Sequence, residues 1–556
     1  MATTRTDPSD ASPGSGAAGS AAPGAWAPLR NRVFLAIWLA ALVSNTGTWV
    51  RDVASGWLMT DLSPSPLLVS LVQAATTLPV FLLSVPAGAL ADIVDRRRLL
   101  ITVQSGLLVV GAALTLSAHL GLMSPGLLLV LILVAGAGAA LSGPAFQAIV
   151  PEVVGRGELR SAVALNSLGL NISRAIGPAL GGLIVATAGV AAAYLFDAIS
   201  YLAVVGVFLL WRRPARTSDL PPESFLPAMR AGLRYAAGSR ALGRVLLRAG
   251  GFFLFASAYW ALLPLIARER LMVDAAGYGV LLAAIGAGAV AGAVALPKLK
   301  LPGHVLVPGG TLVTALVTLV LALVQDRWAA TGALAVAGAA WIAVLTTLNV
   351  AAQSTLPDWV RARGLAVYLM VFFGAMTAGS TVWGLVAQSA GIEVALVIAA
   401  IGGSLAGLAL ARLVKLPAGT DDLTPSRHWP DPVSAAPVPG DRGPVLVSIA
   451  YRIDPADRRA FLEAVHELAR IRRRDGAFGW RVLEDAEDPT RFEEIFFAAS
   501  WLEHLRHHRR VTRADADLQA GVNRFHKGDT PPAVRHLVGA DSRDEPLPAM
   551  GHDHHD

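Results

Sequence analysis

Between Val33 and Val414 short charged or Pro-containing breaks divide the chain into long apolar runs. This constrains the fold more than any motif does, because about 20 apolar residues in a helix cross the hydrocarbon core of a bilayer. A segment in lipid must also satisfy its own backbone polar groups, which selects helices. Twelve spans can be drawn, at 33–59, 66–91, 98–119, 124–148, 162–189, 191–211, 243–267, 275–297, 303–325, 328–352, 364–389 and 391–414. Charged residues make up only 15% of the chain, against about 25% in soluble proteins. The sequence is that of an integral membrane protein.

The isoelectric point near 9.9 does not point to nucleic acid, because the arginines fall in short loops between spans and read as topological anchors. With the N-terminus inside, Arg30, Arg32, Arg96 to Arg98, Arg156, Arg160, Arg212, Arg213, Arg216, Lys298, Lys300, Arg361, Arg363, Arg412 and Lys415 are all cytoplasmic, and only Arg268, Arg270 and Arg327 lie outside. Both termini are then cytoplasmic. The chain has no cysteine, which excludes disulfides, thiol catalysis and thiolate metal sites. No phosphate-cradling loop of the Walker type is present, so ATP is not the energy source.

The spans fall into two related sets of six. Ala145-Phe-Gln147-Ala-Ile-Val-Pro151-Glu152 follows span 4, and Ala351-Ala-Gln353-Ser-Thr-Leu-Pro357-Asp358 follows span 10. Two parallel six-helix halves are the sequence picture of a secondary transporter. The expected domains are a disordered tail at 1–28, the first half at 29–211, a middle loop at 212–242 and the second half at 243–416. A linker at 417–442, an α+β domain at 443–540 and a disordered tail at 541–556 follow. In the middle loop Phe225, Met229, Leu233 and basic neighbours predict an amphipathic helix on the inner membrane surface.

Within the spans, polar groups are costly and draw attention. Arg174 falls near the midplane of span 5, with Ser167 and Asn171 on its face. Its expected counter-charge is Asp52 in span 1, with Asp197 in span 6 as the alternative. Asn45, Trp49 and Asp52 share a face of span 1, and Arg51 reads as reaching toward the outer interface. This set is either a substrate- or proton-coupled site or a structural ion pair. Trp260, Trp341 and Trp383 are candidates for stacking an aromatic substrate or for core packing. In span 5, Ser173, Gly177 and Gly181 recur every four residues and allow a close helix crossing, and Pro178 kinks the helix. No metal site, catalytic group or cofactor is expected.

The α+β domain has apolar strands at 445–453, 479–484, 491–499 and 534–538, with helices between, in the order βαββαβ of ferredoxin-like domains. Its open sheet face, with Ile449, Tyr451, Ile495 and Phe497, predicts pairing with a second copy. His466, His504, His507 and His508 are read as part of a solvated basic face.

The loop Gly88-Ala-Leu-Ala-Asp92-Ile-Val-Asp95-Arg96-Arg97-Arg98 resembles the loop between helices 2 and 3 of the major facilitator superfamily, of pattern G-x-x-x-D-x-x-G-R-[RK]. Gly88, Asp92, Arg96 and Arg97 match, and Asp95 stands at the second Gly. Gly88 is expected to permit close backbone approach, and Asp92 to latch the halves on the cytoplasmic side. Ser173-x-x-x-Gly177-Pro178-x-x-Gly181-Gly182 resembles the helix 5 motif of antiporters in that superfamily, with Ser173 replacing its first Gly. Together with Asn45-Thr-Gly-Thr-Trp49, Leu78-Pro79, Gly143-Pro144-Ala145 and the appended domain, the chain resembles the transmembrane secretion effector branch. The tail domain resembles dimeric barrels of the antibiotic-biosynthesis-monooxygenase type.

The resemblance implies a twelve-helix major facilitator fold in the bacterial inner membrane. It implies export of small amphiphilic molecules of drug, macrolide or siderophore type, by proton antiport and alternating access. The partners are then a small-molecule substrate, protons, lipid and a second copy through the tail domain, with no nucleic acid. An importer on the same fold, and a membrane-anchored sensor or enzyme working through the tail domain, are the alternatives.

Overall fold

A computed structural model describes residues 26–540 except 156, 212–224, 418–421, 427, 430, 431, 433, 435 and 436. Among the described residues, eleven helices are long and apolar enough to cross a membrane. The first half contains α1 Arg32–Leu62, α2 Pro66–Ile93, α3 Arg96–His119, α4 Pro125–Val153 and α5 Leu159–Leu210. The 52-residue α5 holds two spans, because Gly189 breaks it with φ 81°. Such a backbone angle strongly favours a residue without Cβ. Twelve spans result.

The middle helix α6, Phe225–Gly238, leads into α7 Arg240–Leu265, α8 Ala275–Leu299, α9 Gly303–Leu323, α10 Arg327–Ser354, α11 Arg361–Ala390 and α12 Ile392–Leu413. Side-chain oxygens of Asn31, Ser65, Asp95, Ser124, Ser239, Asp274 and Asp326 accept from the first-turn amides of their helices. These caps satisfy first-turn donors that have no partner within the helix.

The halves meet along two seams, α2 against α11 and α5 against α8. The first runs from Ser65 Oγ, which donates to Gln388 Oε1 at 2.6 Å, through Thr77 and Thr377 at 2.8 Å. It continues to Gly374, where an added Cβ would lie 2.8 Å from the Phe81 ring. At the end of the bundle bearing the α1–α2 and α7–α8 turns, Arg268 pairs with Asp61, donates to Thr60 Oγ1 at 2.9 Å and lies 5.6 Å above the Trp57 ring. The halves are thus fastened together at the end opposite the basic loops.

A separate core forms the tail domain. It comprises β1 Val445–Arg452, α13 Arg458–Asp475, β2 Phe478–Glu484, β3 Arg491–Ala498, α14 Trp501–Arg510, α15 Arg513–Asn523 and β4 Ala533–Val538. The sheet order is β2-β3-β1-β4, with every neighbouring pair antiparallel. This is the ferredoxin-like arrangement. Ile449 and Tyr451 are 5% and 1% exposed and face the helices, so they do not belong to the open face expected of them. Ile495 and Phe497, of the same expected set, do lie on that face by strict alternation, together with Leu446, and Phe497 stacks on Phe478 with ring centroids 5.7 Å apart.

The domain sits on the basic end of the bundle. Arg474 of α13 lies 5.0 Å above the Tyr235 ring of α6, and Arg510 of α14 lies 4.5 Å above Trp359, in the turn before α11. Arg240 pairs with Glu467 at 3.2 Å. The helix expected on the membrane surface therefore spends its Tyr235 face on protein. The Tyr235 hydroxyl donates to the Thr355 carbonyl at 3.4 Å. The side chains of Phe225 and Met229 lie outside the described residues, and Leu233 is 40% exposed.

Candidate functional site

A cavity of about 230 Å³ lies between the halves. The first half contributes Trp49, Asp52, Gln73, Thr76, Thr77 and Arg174; the second contributes Trp260, Tyr278, Trp341, Phe372, Phe373 and Met376. One wall is polar and charged, the other aromatic. The aromatic wall is braced internally: Trp260 and Trp341 meet edge to face at 5.5 Å, and Phe253 supports Trp341 at 5.2 Å and Phe372 at 4.2 Å. Trp383 is not among the cavity-lining residues, and its indole donates to the Leu254 carbonyl at 2.8 Å.

Asp52 and Arg174 both line this cavity, but they are not the ion pair expected of them. Arg51 takes Arg174's expected place. It is 3% exposed and donates to Asp52 Oδ1 at 3.0 Å, to the Tyr201 hydroxyl at 2.9 Å and to Asp197 Oδ2 at 3.5 Å. Asp197 is 1% exposed, whereas the Asp52 side chain keeps 31% of its surface toward the cavity. Close packing holds the group: a Cβ on Gly47 would lie 2.7 Å from Ser200 Oγ and 3.0 Å from Asp197 Oδ1. Two carboxylates therefore share one guanidinium, and only one of them faces the cavity. Arg174 has no acid within ion-pair distance among the described residues.

Asn171 donates back to the Ser167 carbonyl of its own helix at 2.8 Å, and Asn45 is not among the cavity-lining residues. The span 5 glycines do what their spacing predicts, on two faces. Ser173 Oγ donates to the Leu42 carbonyl at 3.1 Å, and a Cβ on Gly177 or Gly181 would lie 2.6 Å from Trp49 or 3.0 Å from Val50. That face is closed by α1. The next is closed across the molecule by α8, where a Cβ on Gly182 would sit 2.8 Å from Gly279 Cα. Gly279 in turn abuts the Pro178 carbonyl, and Gly286 abuts the Arg174 carbonyl, which Pro178, having no N–H, leaves without its usual backbone donor.

In the basic loop, Gly88 has open space where a Cβ would be, so close approach is not its role. The side chain of Asp92 lies outside the described residues. Arg96 bonds Glu152 Oε1 at 2.7 Å and the Ala148 carbonyl at 3.1 Å, at the end of α4. Arg97 bonds the Phe208 and Leu209 carbonyls at 2.7 and 3.0 Å, at the end of α5. Cations at helix C-termini meet carbonyls and the negative end of the helix dipole. The loop therefore ties three helices of one half together.

The histidines of α14 depart from the expected solvated face. His504 and His507 are 2% and 3% exposed. Burial and the neighbouring His508 and His536 push His504 down to about 3, and burial and Arg472 push His507 down as well.

A family model for transmembrane secretion effectors matches residues 23–544. The chain belongs to the transmembrane secretion effector family. Among relatives of the family member described here, the staphyloferrin A transporter of Staphylococcus aureus is 26% identical over 259 residues, 45% of this chain and 64% of that protein. The enterobactin exporter EntS of Shigella boydii is 32% identical over 273 residues, 48% of this chain and 63% of that protein. The chain thus matches less than two thirds of the length of either. Two solved structures share the fold. A bacterial homolog to the human lysosomal transporter Spinster, inward-facing and unoccupied, has TM-score 0.55 and 14% identity over 70% of this chain and 98% of its own. A POT family transporter in complex with 5-aminolevulinic acid has TM-score 0.58 and 12% identity over 70% and 97%.

Proposed function

We propose that this protein is a secondary active exporter of small amphiphilic molecules in the bacterial inner membrane. The observation that carries this reading is the divided cavity: an acid and an arginine on the first half face an aromatic wall on the second. A molecule bearing aromatic or apolar surface beside polar or ionisable groups fits both walls, and it is held by two bodies that can rock apart. Outward transport is supported by the relative named for enterobactin export and by the Gly-Pro motif of α5. The two relatives named for enterobactin and staphyloferrin A support a siderophore-type cargo.

Proton antiport follows from charge. Arg51, Asp52 and Asp197 together carry one more negative than positive charge when all are ionised. Arg174, on the same cavity wall, balances that excess until an anionic group of the cargo engages it, and the excess is then met by a proton on Asp52. Protonating Asp52 leaves Arg51 still held by Asp197 and Tyr201, so the helices stay packed while the cavity changes charge. The basic loops support a reading in which the end carrying the tail domain, with both termini, is cytoplasmic. The state described here, fastened at the opposite end, is then the one that loads from inside. Nothing in this reading asks for catalysis.

The test uses inside-out membrane vesicles with an imposed proton gradient and labelled enterobactin or erythromycin as probe. Protein-dependent accumulation that collapses with the gradient, and is lost in Asp52→Asn at equal abundance, supports the reading. Accumulation of neither probe, in vesicles containing folded protein, refutes the cargo class.

A further inference from the structure

Three histidines in the tail domain converge. His504 and His508 stand four residues apart on α14 and so project from one face. His536 comes from β4, opposite Val447 in the sheet. One ring nitrogen from each lies within 4.8 Å of the others. The His504 ring is 4.6 Å from that of His508 and 4.7 Å from that of His536, with Trp501 packed at 5.4 Å behind it.

His504 is the telling member. It is 2% exposed, and neither ring nitrogen has a hydrogen-bond partner among the described residues. A buried imidazole with both nitrogens unsatisfied is expensive and calls for an explanation. A water could satisfy one nitrogen, but it would not account for two more imidazoles aimed at the same point.

We infer that His504, His508 and His536 form a binding site for a divalent transition cation of the zinc type. Nitrogen-to-metal bonds of about 2.0–2.1 Å put tetrahedral ligand atoms about 3.4 Å apart, so each nitrogen needs to move inward by under about 1 Å. Rotation of His508 and His536, both only partly buried, supplies that movement. Imidazole nitrogens select zinc, cobalt, nickel or copper over magnesium or calcium. Three protein ligands leave a fourth position for water or a small anion. Burial already keeps His504 neutral, the form that binds metal. The nearby cations are partly neutralised: Arg506 and Arg510 both pair with Glu503, at 2.7 and 3.1 Å. The site lies on the helix whose last residue, Arg510, rests on Trp359 of the transport bundle. Metal occupancy is therefore placed to alter how the tail domain docks.

The test uses the full chain in detergent, stripped of metal, with His552, His554 and His555 replaced by Ala to silence the histidine-rich terminus. Cobalt(II) is the probe, because four-coordinate cobalt has intense visible ligand-field bands. The expected result is one cobalt per chain with those bands, displaced by zinc. Binding should weaken at least tenfold in His508→Ala and in His536→Ala, with gel-filtration behaviour unchanged. Substitution of buried His504 is avoided because it tests folding as well. Absence of the bands in the parent chain overturns the site, as does their persistence in both variants.

Discussion

Arg51→Met should damage this protein more than Arg174→Met, although both remove one arginine from the membrane interior. Arg51 lies 3.5 Å from Asp197 and 3.0 Å from Asp52. At an effective dielectric constant near 20, each attraction is worth about 5 kcal/mol. Desolvation offsets much of this while the cluster is intact. Without Arg51, two acids remain, one of them 1% exposed, and a broken buried pair costs about 3–5 kcal/mol. Arg174 lines the cavity with no acid at ion-pair distance among the described residues, so its loss should cost under about 1 kcal/mol of stability and appear mainly in transport. The assay is unfolding of purified protein by fluorescence-detected gel filtration, with a double-mutant cycle. Arg51→Met with Asp197→Asn should recover about 1–3 kcal/mol through their coupling, whereas Arg174→Met and Asp52→Asn should add independently. A stable Arg51→Met variant, or stronger coupling of Asp52 to Arg174 than to Arg51, would refute the arrangement.

Gly182→Leu or Gly279→Leu should force the α5–α8 seam apart at a cost of about 1–3 kcal/mol, whereas Gly143→Ala, which faces open space, should be neutral in the same unfolding assay. Because the native chain lacks cysteine, Arg240→Cys with Glu467→Cys, whose native side chains meet at their tips, should be joined by a short bis-maleimide crosslinker that reports tail docking; Tyr235→Ala, which removes the ring beneath Arg474, should lower the crosslinking yield, and an unchanged yield would discount that contact. Purified protein should be dimeric through the open sheet face, and Phe497→Arg should shift its mass in light scattering to that of one chain; a monomeric parent would show that the face is covered otherwise. His504 is held near 3 when folded and near 6.5 when unfolded, so the unfolded chain binds more protons between those values. Stability of metal-free α14 is therefore complete above about pH 6.5 and falls as pH drops toward 3, by at most about 1.4 kcal/mol per unit from this group; hydrogen exchange of 501–510, corrected for intrinsic rates, should show protection declining from pH 7 to 5, and constant protection would contradict the assigned burial.

The parts of this molecule that were readable from sequence are those in which spacing within one element decides the outcome. Apolar run length gave the spans, and the Ser173, Gly177 and Gly181 period gave a face that α1 closes. The histidine site was not readable this way, because its third member stands 28 residues beyond His508 on another element, and only the βαββαβ crossover brings them together. The charge cluster failed for a different reason. Arg51 was read as near a helix end, from which a long side chain can reach the interface. But α1 continues to Leu62, which puts Arg51 eleven residues, about 16 Å, inside its end. That is beyond the reach of an arginine side chain, so Arg51 must find its partners within the protein. Asp197 sits just past the Gly189 break and Asp52 is its own neighbour. Arg174 lies fifteen residues from either end of its span and has the opposite option: it can point into a polar cavity, where water or cargo can receive the charge. Which of two intramembrane arginines packs against acids and which lines the cavity is thus set by what lies across from each, and a single helix does not encode that.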